Sequence, residues 1–123
     1  MIIDIDIGNT RVKWRVRDGG QMVVRGAQNT AVLVDGGTLQ LDGVATLCEA
    51  RVSSVADLSV GEHVQRQLRA GYAIEARFAR VSQSAGGVAC GYEAFETLGI
   101  DRWLAMLAAF QRIAGATLVV DAG

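Results

Sequence analysis

Apolar and polar residues alternate from Met1 to Ile7. Ile3, Ile5 and Ile7 fall on one side and Asp4 and Asp6 on the other, the period of a half-buried strand. Gly8, Asn9 and Thr10 form a turn triplet, Gly and Asn being residues that tolerate positive φ. Alternation resumes from Arg11 to Arg17, with Val12, Trp14 and Val16 inward and Arg11, Lys13, Arg15 and Arg17 outward, which predicts a hairpin. Asp18, Gly19 and Gly20 make a second turn, and Gln21 to Ala27 reads as a third strand of the same meander.

Residues 29–43 carry no single period. Ala31 to Val34 suits a short helix or a strand, and Asp35, Gly36 and Gly37 break either. A fourth strand is expected over Ala50 to Val55. Ser59 and Glu62 have capping-box spacing, and Val60, Val64 and Leu68 share one helical face, so a helix is expected from Ser59 to Gly71. Tyr72 to Val81 reads as a fifth strand and Ser82 to Cys90 as a small-residue loop.

The strongest helical pattern runs from Ile100 to Ala114. Ile100, Trp103, Leu104, Leu107 and Ala108 form one apolar stripe, and Trp103, Met106, Phe110 and Ile113 another, so the helix should be buried between layers. Gly115 is the expected stop, and a last strand follows from Thr117. A meander followed by alternating strands and helices predicts an α/β fold with a mixed five-stranded sheet.

Composition narrows the function classes. At 123 residues the chain has one domain's worth of material, and half of it is hydrophobic. Twelve basic residues, eleven of them Arg, oppose thirteen acidic ones, for a net charge of −1. That balance leaves no electrostatic footprint for nucleic acid or a membrane surface. Cys48 and Cys90 lie in no metal-binding array, and no signal-like or membrane-spanning run is present, so a soluble cytoplasmic protein is expected. The apolar run into Asp121, Ala122 and Gly123 suggests an N-terminal piece of something longer.

Three turns could carry chemistry. Asp6 at a strand end could hold Mg²⁺, while Gly8, Asn9 and Thr10 offer backbone N–H groups and a hydroxyl to a phosphate, and Lys13 adds the chain's single lysine charge. A plain hairpin with a solvated lysine fits the same residues. Gly99, Ile100, Asp101 and Arg102 open the apolar helix. Asp101 could simply favour the helix dipole, or it could take a hydroxyl proton while Arg102 holds an anionic substrate. Asp121 and Gly123 echo the spacing of Asp6 and Gly8. Asp4 faces solvent or an arginine. His63 reads as a surface histidine, Cys90 as a small buried thiol, and Tyr92 as core or a ligand contact.

Three segments in order, DIGNTRVKW, GYEAFETLGIDRWLAMLAA and LVVDAG, resemble the type III pantothenate kinases. The resemblance covers roughly residues 1–17, 91–109 and 117–123; residues 18–90 add order of elements but little identity. It implies an actin-like, RNase H-like domain of the acetate and sugar kinase, Hsp70 and actin superfamily over residues 1–115. Residues 116–123 would then be the first strand and second phosphate loop of another domain. It implies ATP-dependent phosphorylation of pantothenate to 4′-phosphopantothenate, the first step of coenzyme A synthesis, in a homodimer. Asp6, Ile7, Gly8, Asn9, Thr10, Arg11, Val12 and Lys13 would surround the ATP phosphates, with Asp6 near Mg²⁺. Tyr92, Gly99, Ile100, Asp101 and Arg102 would bind pantothenate, with Asp101 the catalytic base. Asp121 would hold a monovalent cation, potassium or ammonium.

In that family a threonine and a second domain follow the last glycine, so the 123-residue piece is expected to be inactive alone. Three alternatives stand beside this reading: a Bvg accessory factor-like regulatory homologue without kinase activity, another kinase of the same superfamily, and a bare scaffold domain in which the three turns are coincidence. Intact Asp6, Lys13 and Asp101 favour the kinase over the first. The helix opened by Gly99 to Arg102 disfavours the second.

Overall fold

The computed structural model describes residues 1–113 and 115–120. The chain divides into two compact units, Met1–Ala79 and the residues from Arg80 onward.

The first unit is built on a mixed sheet. Strands β1 (Ile2–Ile7), β2 (Arg11–Asp18) and β3 (Gln21–Asn29) form an antiparallel meander, followed by α1 (Thr30–Val34), β4 (Glu49–Ser54), α2 (Leu58–Tyr72) and β5 (Ala76–Phe78). The order across the five-stranded sheet is β3-β2-β1-β4-β5, with β1, β4 and β5 mutually parallel. The mixed α/β sheet expected from the alternation is therefore present.

Its inward face is the predicted one. Ile3, Ile5, Ile7, Val12, Trp14 and Val16 are buried against Val60, Val64 and Leu68 of α2 and Leu33 of α1. Each fully buried aliphatic side chain contributes about 1.5–3 kcal/mol, which fixes the register, because a one-residue slip would expose the whole set. The Trp14 indole lies where a Cβ on its cross-strand partner Gly26 would stand, and its Nε1 donates to the Gln40 carbonyl at 3.2 Å. The outward face is charged. Asp4 is paired with Arg15 at 3.0 Å and Arg17 at 2.9 Å, which gives this carboxylate a structural partner.

Several boundaries differ from expectation. The α2 helix begins at Leu58 and is capped by Asp57, whose side chain accepts from the Ser59 N–H at 2.9 Å, so Ser59 is inside the helix rather than its cap. The same helix runs through Gly71 to Tyr72 and ends at a left-handed Ala73. Tyr72 is held there by packing on the core and by its hydroxyl donating to the Val44 carbonyl at 3.3 Å. That extra residue and the left-handed Ala73 after it belong to the helix end, and the fifth strand is confined to Ala76–Phe78. His63 is half-buried, with Nε2 3.2 Å from the Gly37 carbonyl, and is not a free surface histidine. Its neighbour Gln67 binds the Gly37 carbonyl at 2.6 Å and accepts from the Leu39 N–H at 3.1 Å, pinning the loop after α1.

In the second unit the expected loop holds a small hairpin, β6 (Ser84–Ala85) and β7 (Val88–Ala89). Gly86 and Gly87 both take positive φ, as a two-residue primed turn requires. A 3-10 turn (Phe95–Thr97) precedes α3 (Ile100–Arg112). The helix is not enclosed as its pattern suggested. Ile100 and Trp103 are buried, whereas Leu104 and Phe110 are exposed, so among the described residues each apolar stripe is covered only at its N-terminal end. It ends at an extended Ile113, so Gly115 is not its left-handed stop. Cys90 is half-exposed rather than buried. Thr117–Val120 pair with no strand among the described residues, and Leu118 is 87% exposed, so the expected last strand is absent there. No helix among the described residues is long and apolar enough to cross a membrane.

Candidate functional site

The β1–β2 turn lies at the carboxyl ends of the parallel strands β1 and β4, the edge at which open α/β sheets bind ligands. Ile7 and Val12 flank it, are fully buried, and fasten the turn to the core through their side chains. The turn itself is exposed at Asn9, Thr10 and Arg11. Three hydrogen bonds define it. The Gly8 N–H donates to the Arg11 carbonyl at 2.9 Å, the Thr30 N–H to the Thr10 carbonyl at 2.9 Å, and the Thr30 hydroxyl to the Gly8 carbonyl at 2.9 Å. A Cβ on Gly8 would stand 3.0 Å from the Arg11 carbonyl oxygen, so the tight closure favours glycine. The backbone N–H groups of Asn9 and Thr10 have no partner among the described residues. Exposed, unpaired N–H groups on a tight turn can receive an anion.

Asp6 and Lys13 stand beside the turn as a cross-strand pair on the outward face. Both are exposed, and neither carboxylate nor ammonium has a salt-bridge partner within 4.0 Å among the described residues. They contrast with Asp4 and Glu49 on the same face, whose charges are taken up by arginines; the Arg51 hydrogen bond holds the Glu49 carboxyl below its usual range. The structure thus gathers Asp6, Gly8 and Lys13 at one sheet end, where Asp6, Lys13 and the exposed Arg11 carry charges without a salt bridge among the described residues.

In the second unit, Gly99 is the N-cap of α3 and offers no side-chain cap. Asp101, in the first turn, accepts from the Arg102 N–H at 2.8 Å through Oδ1. A Cβ on Gly99 would stand 2.5 Å from that same oxygen, so the carboxylate's position depends on the glycine. Arg102 is exposed and has no ion-pair partner among the described residues. Buried Ile100 and Trp103 anchor the segment and leave Asp101 and Arg102 facing outward. Tyr92 is 52% exposed. Asp121, expected to hold a monovalent cation, lies outside the described residues.

Sequence reasoning missed one participant, Thr30, and one contact, that between Gly99 and Asp101. Thr30, in the segment without a readable period, is the one buried polar residue among those described. The close approach of Gly99 to Asp101 is a three-dimensional fact that no spacing announces.

A family model described as type III pantothenate kinase matches residues 2–123. A type III pantothenate kinase of Pseudomonas putida (strain F1) is 34% identical over 128 residues, covering 100% of this chain and 50% of its own length. That of Chromohalobacter salexigens is 38% identical over 125 residues, with 100% and 44% covered. That of Hahella chejuensis is 30% identical over 123 residues, with 98% and 49% covered. The chain spans about half the length of the curated relatives it matches.

Proposed function

The chain belongs to the type III pantothenate kinase family, and from that premise we propose that it supplies the phosphate loop and the pantothenate-binding segment of an ATP-dependent pantothenate kinase. The observation that carries the reading is the β1–β2 turn, whose unpaired Asn9 and Thr10 N–H groups lie beside the unpaired Asp6 and Lys13 charges. The mixed β3-β2-β1-β4-β5 sheet supports assignment to the actin-like superfamily.

Phosphoryl transfer asks for positioning and charge stabilisation more than for covalent chemistry. Asn9 and Thr10 N–H groups and the Lys13 ammonium hold the ATP phosphates, and Arg11 flanks them. Arg102 and the Tyr92 hydroxyl orient pantothenate by its polar groups. The Asp101 carboxylate accepts the proton of the primary hydroxyl as its oxygen bonds to the γ-phosphorus and the bond to ADP breaks. Products are 4′-phosphopantothenate and ADP.

Asp6 fits Mg²⁺, because its carboxylate is exposed and unclaimed, and Mg²⁺ is commonly held by one or two carboxylates together with substrate phosphates. When bound, the ion neutralises charge on the phosphoryl oxygens. The monovalent cation at Asp121, potassium or ammonium, and the homodimer are carried by the family resemblance. So is the inactivity of the 123-residue piece alone, which fits a chain half as long as its relatives. A cytoplasmic location fits a metabolic kinase.

The experiment is a coupled ADP assay on full-length protein with Mg²⁺-ATP and pantothenate. ADP release dependent on pantothenate supports the reading, and none with pantothenate but release with a sugar or acetate would overturn it. No release with any of these would favour the Bvg accessory factor-like alternative.

A further inference from the structure

The β1–β2 turn is held from below by one residue. Thr30, 6% exposed, opens α1 directly after β3 and reaches both halves of the turn. Its N–H takes the Thr10 carbonyl and its hydroxyl takes the Gly8 carbonyl, each at 2.9 Å. No described peptide bond is cis. In a trans peptide the carbonyl and the following N–H point in opposite directions. Drawing the Gly8 carbonyl toward Thr30 therefore aims the Asn9 N–H away from it, toward the open side of the turn.

We propose that Thr30 is a positioning residue for the phosphate loop: its buried hydroxyl fixes the Gly8–Asn9 peptide so that the Asn9 N–H is presented to an ATP phosphate. This rests on reading the turn as the phosphate loop. A buried hydroxyl needs a partner, and Gly8 is the one it has. Without that hydroxyl the Gly8 carbonyl loses its inward bond, and the peptide is free to rotate its N–H out of line. The neighbouring backbone bond from the Thr30 N–H survives any substitution except proline, so the turn as a whole stays closed. The effect is thus on orientation and falls on nucleotide rather than on the second substrate.

The test measures dissociation constants for Mg²⁺-ATP and for pantothenate by calorimetry on full-length wild type, Thr30→Ser, Thr30→Ala, Thr30→Val and Lys13→Ala. Thr30→Ala and Thr30→Val are expected to weaken ATP about tenfold, the scale of one oriented hydrogen bond. Thr30→Ser should stay within about twofold, and pantothenate affinity should be unchanged throughout. Should the valine variant not fold, the alanine–serine contrast carries the result. Wild-type ATP affinity in Thr30→Ala, or equal weakening by serine and alanine, overturns the proposal. Lys13→Ala separates the two levels. If it binds ATP normally, the loop reading falls and Thr30 with it. If it weakens ATP while Thr30→Ala does not, Thr30 alone is wrong.

Discussion

Asp6 and Lys13 face one another across β1 and β2, one residue pair from the turn, and neither is neutralised by a salt bridge among the described residues. Two residues further from the turn, the equivalent pair Asp4 and Arg15 is joined at 3.0 Å. The same ladder thus closes one charge pair on itself and leaves the next available. Lys13→Ala should lower kcat/KM for ATP by about ten- to a hundredfold, the worth of a charge-assisted hydrogen bond. Because Lys13 is exposed, Tm should hardly change. Steady-state kinetics with varied ATP and a thermal melt check both halves.

Gly99 should matter through Asp101. Its φ of −60° is open to alanine, and a Cβ would meet only the end of the Asp101 side chain. Gly99→Ala is therefore expected to cost less than about 1 kcal/mol of stability. It should lower turnover about ten- to a hundredfold by displacing the carboxylate, since a shift near 1 Å suffices for such a loss. Parallel measurement of kcat and Tm distinguishes this from unfolding.

The strands were legible because their period-two pattern is imposed by one buried face: Ile3, Ile5 and Ile7 could not be read otherwise. The first turn was legible from Gly8 and Asn9, although neither takes positive φ; glycine is favoured there by the approach of the Arg11 carbonyl. What the pattern hid was tertiary. Tyr72 extends α2 past a glycine because its ring packs on the core, and Leu104 and Phe110 look like core residues on a helix whose described surroundings cover only its N-terminal end. The roles of Thr30 and Gly99 depend on distances between atoms, and no periodicity encodes those.

Gln28 carries the buried side-chain nitrogen that has no hydrogen-bond partner among the described residues. An unpaired buried donor costs its desolvation without return. Gln28→Met keeps the volume and removes the donor, so a gain of about 1 kcal/mol is expected. A denaturant titration that shows a loss instead would mean that the amide has a partner in solution.

Asp57 caps α2, and the Ser59 N–H, with its hydroxyl, holds the Asp57 carboxyl below the usual aspartate range. A carboxyl whose value is depressed on folding contributes stability above its unfolded value, about 3.9, and loses it as pH falls through the lower folded value. Asp57→Ala should lower Tm at neutral pH, and the difference from wild type should shrink toward about pH 2–3. Asp57→Asn, a cap that does not titrate, should keep most of the neutral-pH Tm. Melting curves across that range provide the check.

The most direct measurement follows 4′-phosphopantothenate by mass spectrometry in full-length wild type and Asp101→Asn, each with Mg²⁺-ATP and pantothenate. The account predicts product from the wild type, its near-complete loss in Asp101→Asn, and pantothenate binding retained in both. Wild-type rates from Asp101→Asn, or no phosphopantothenate from the intact protein, would contradict it.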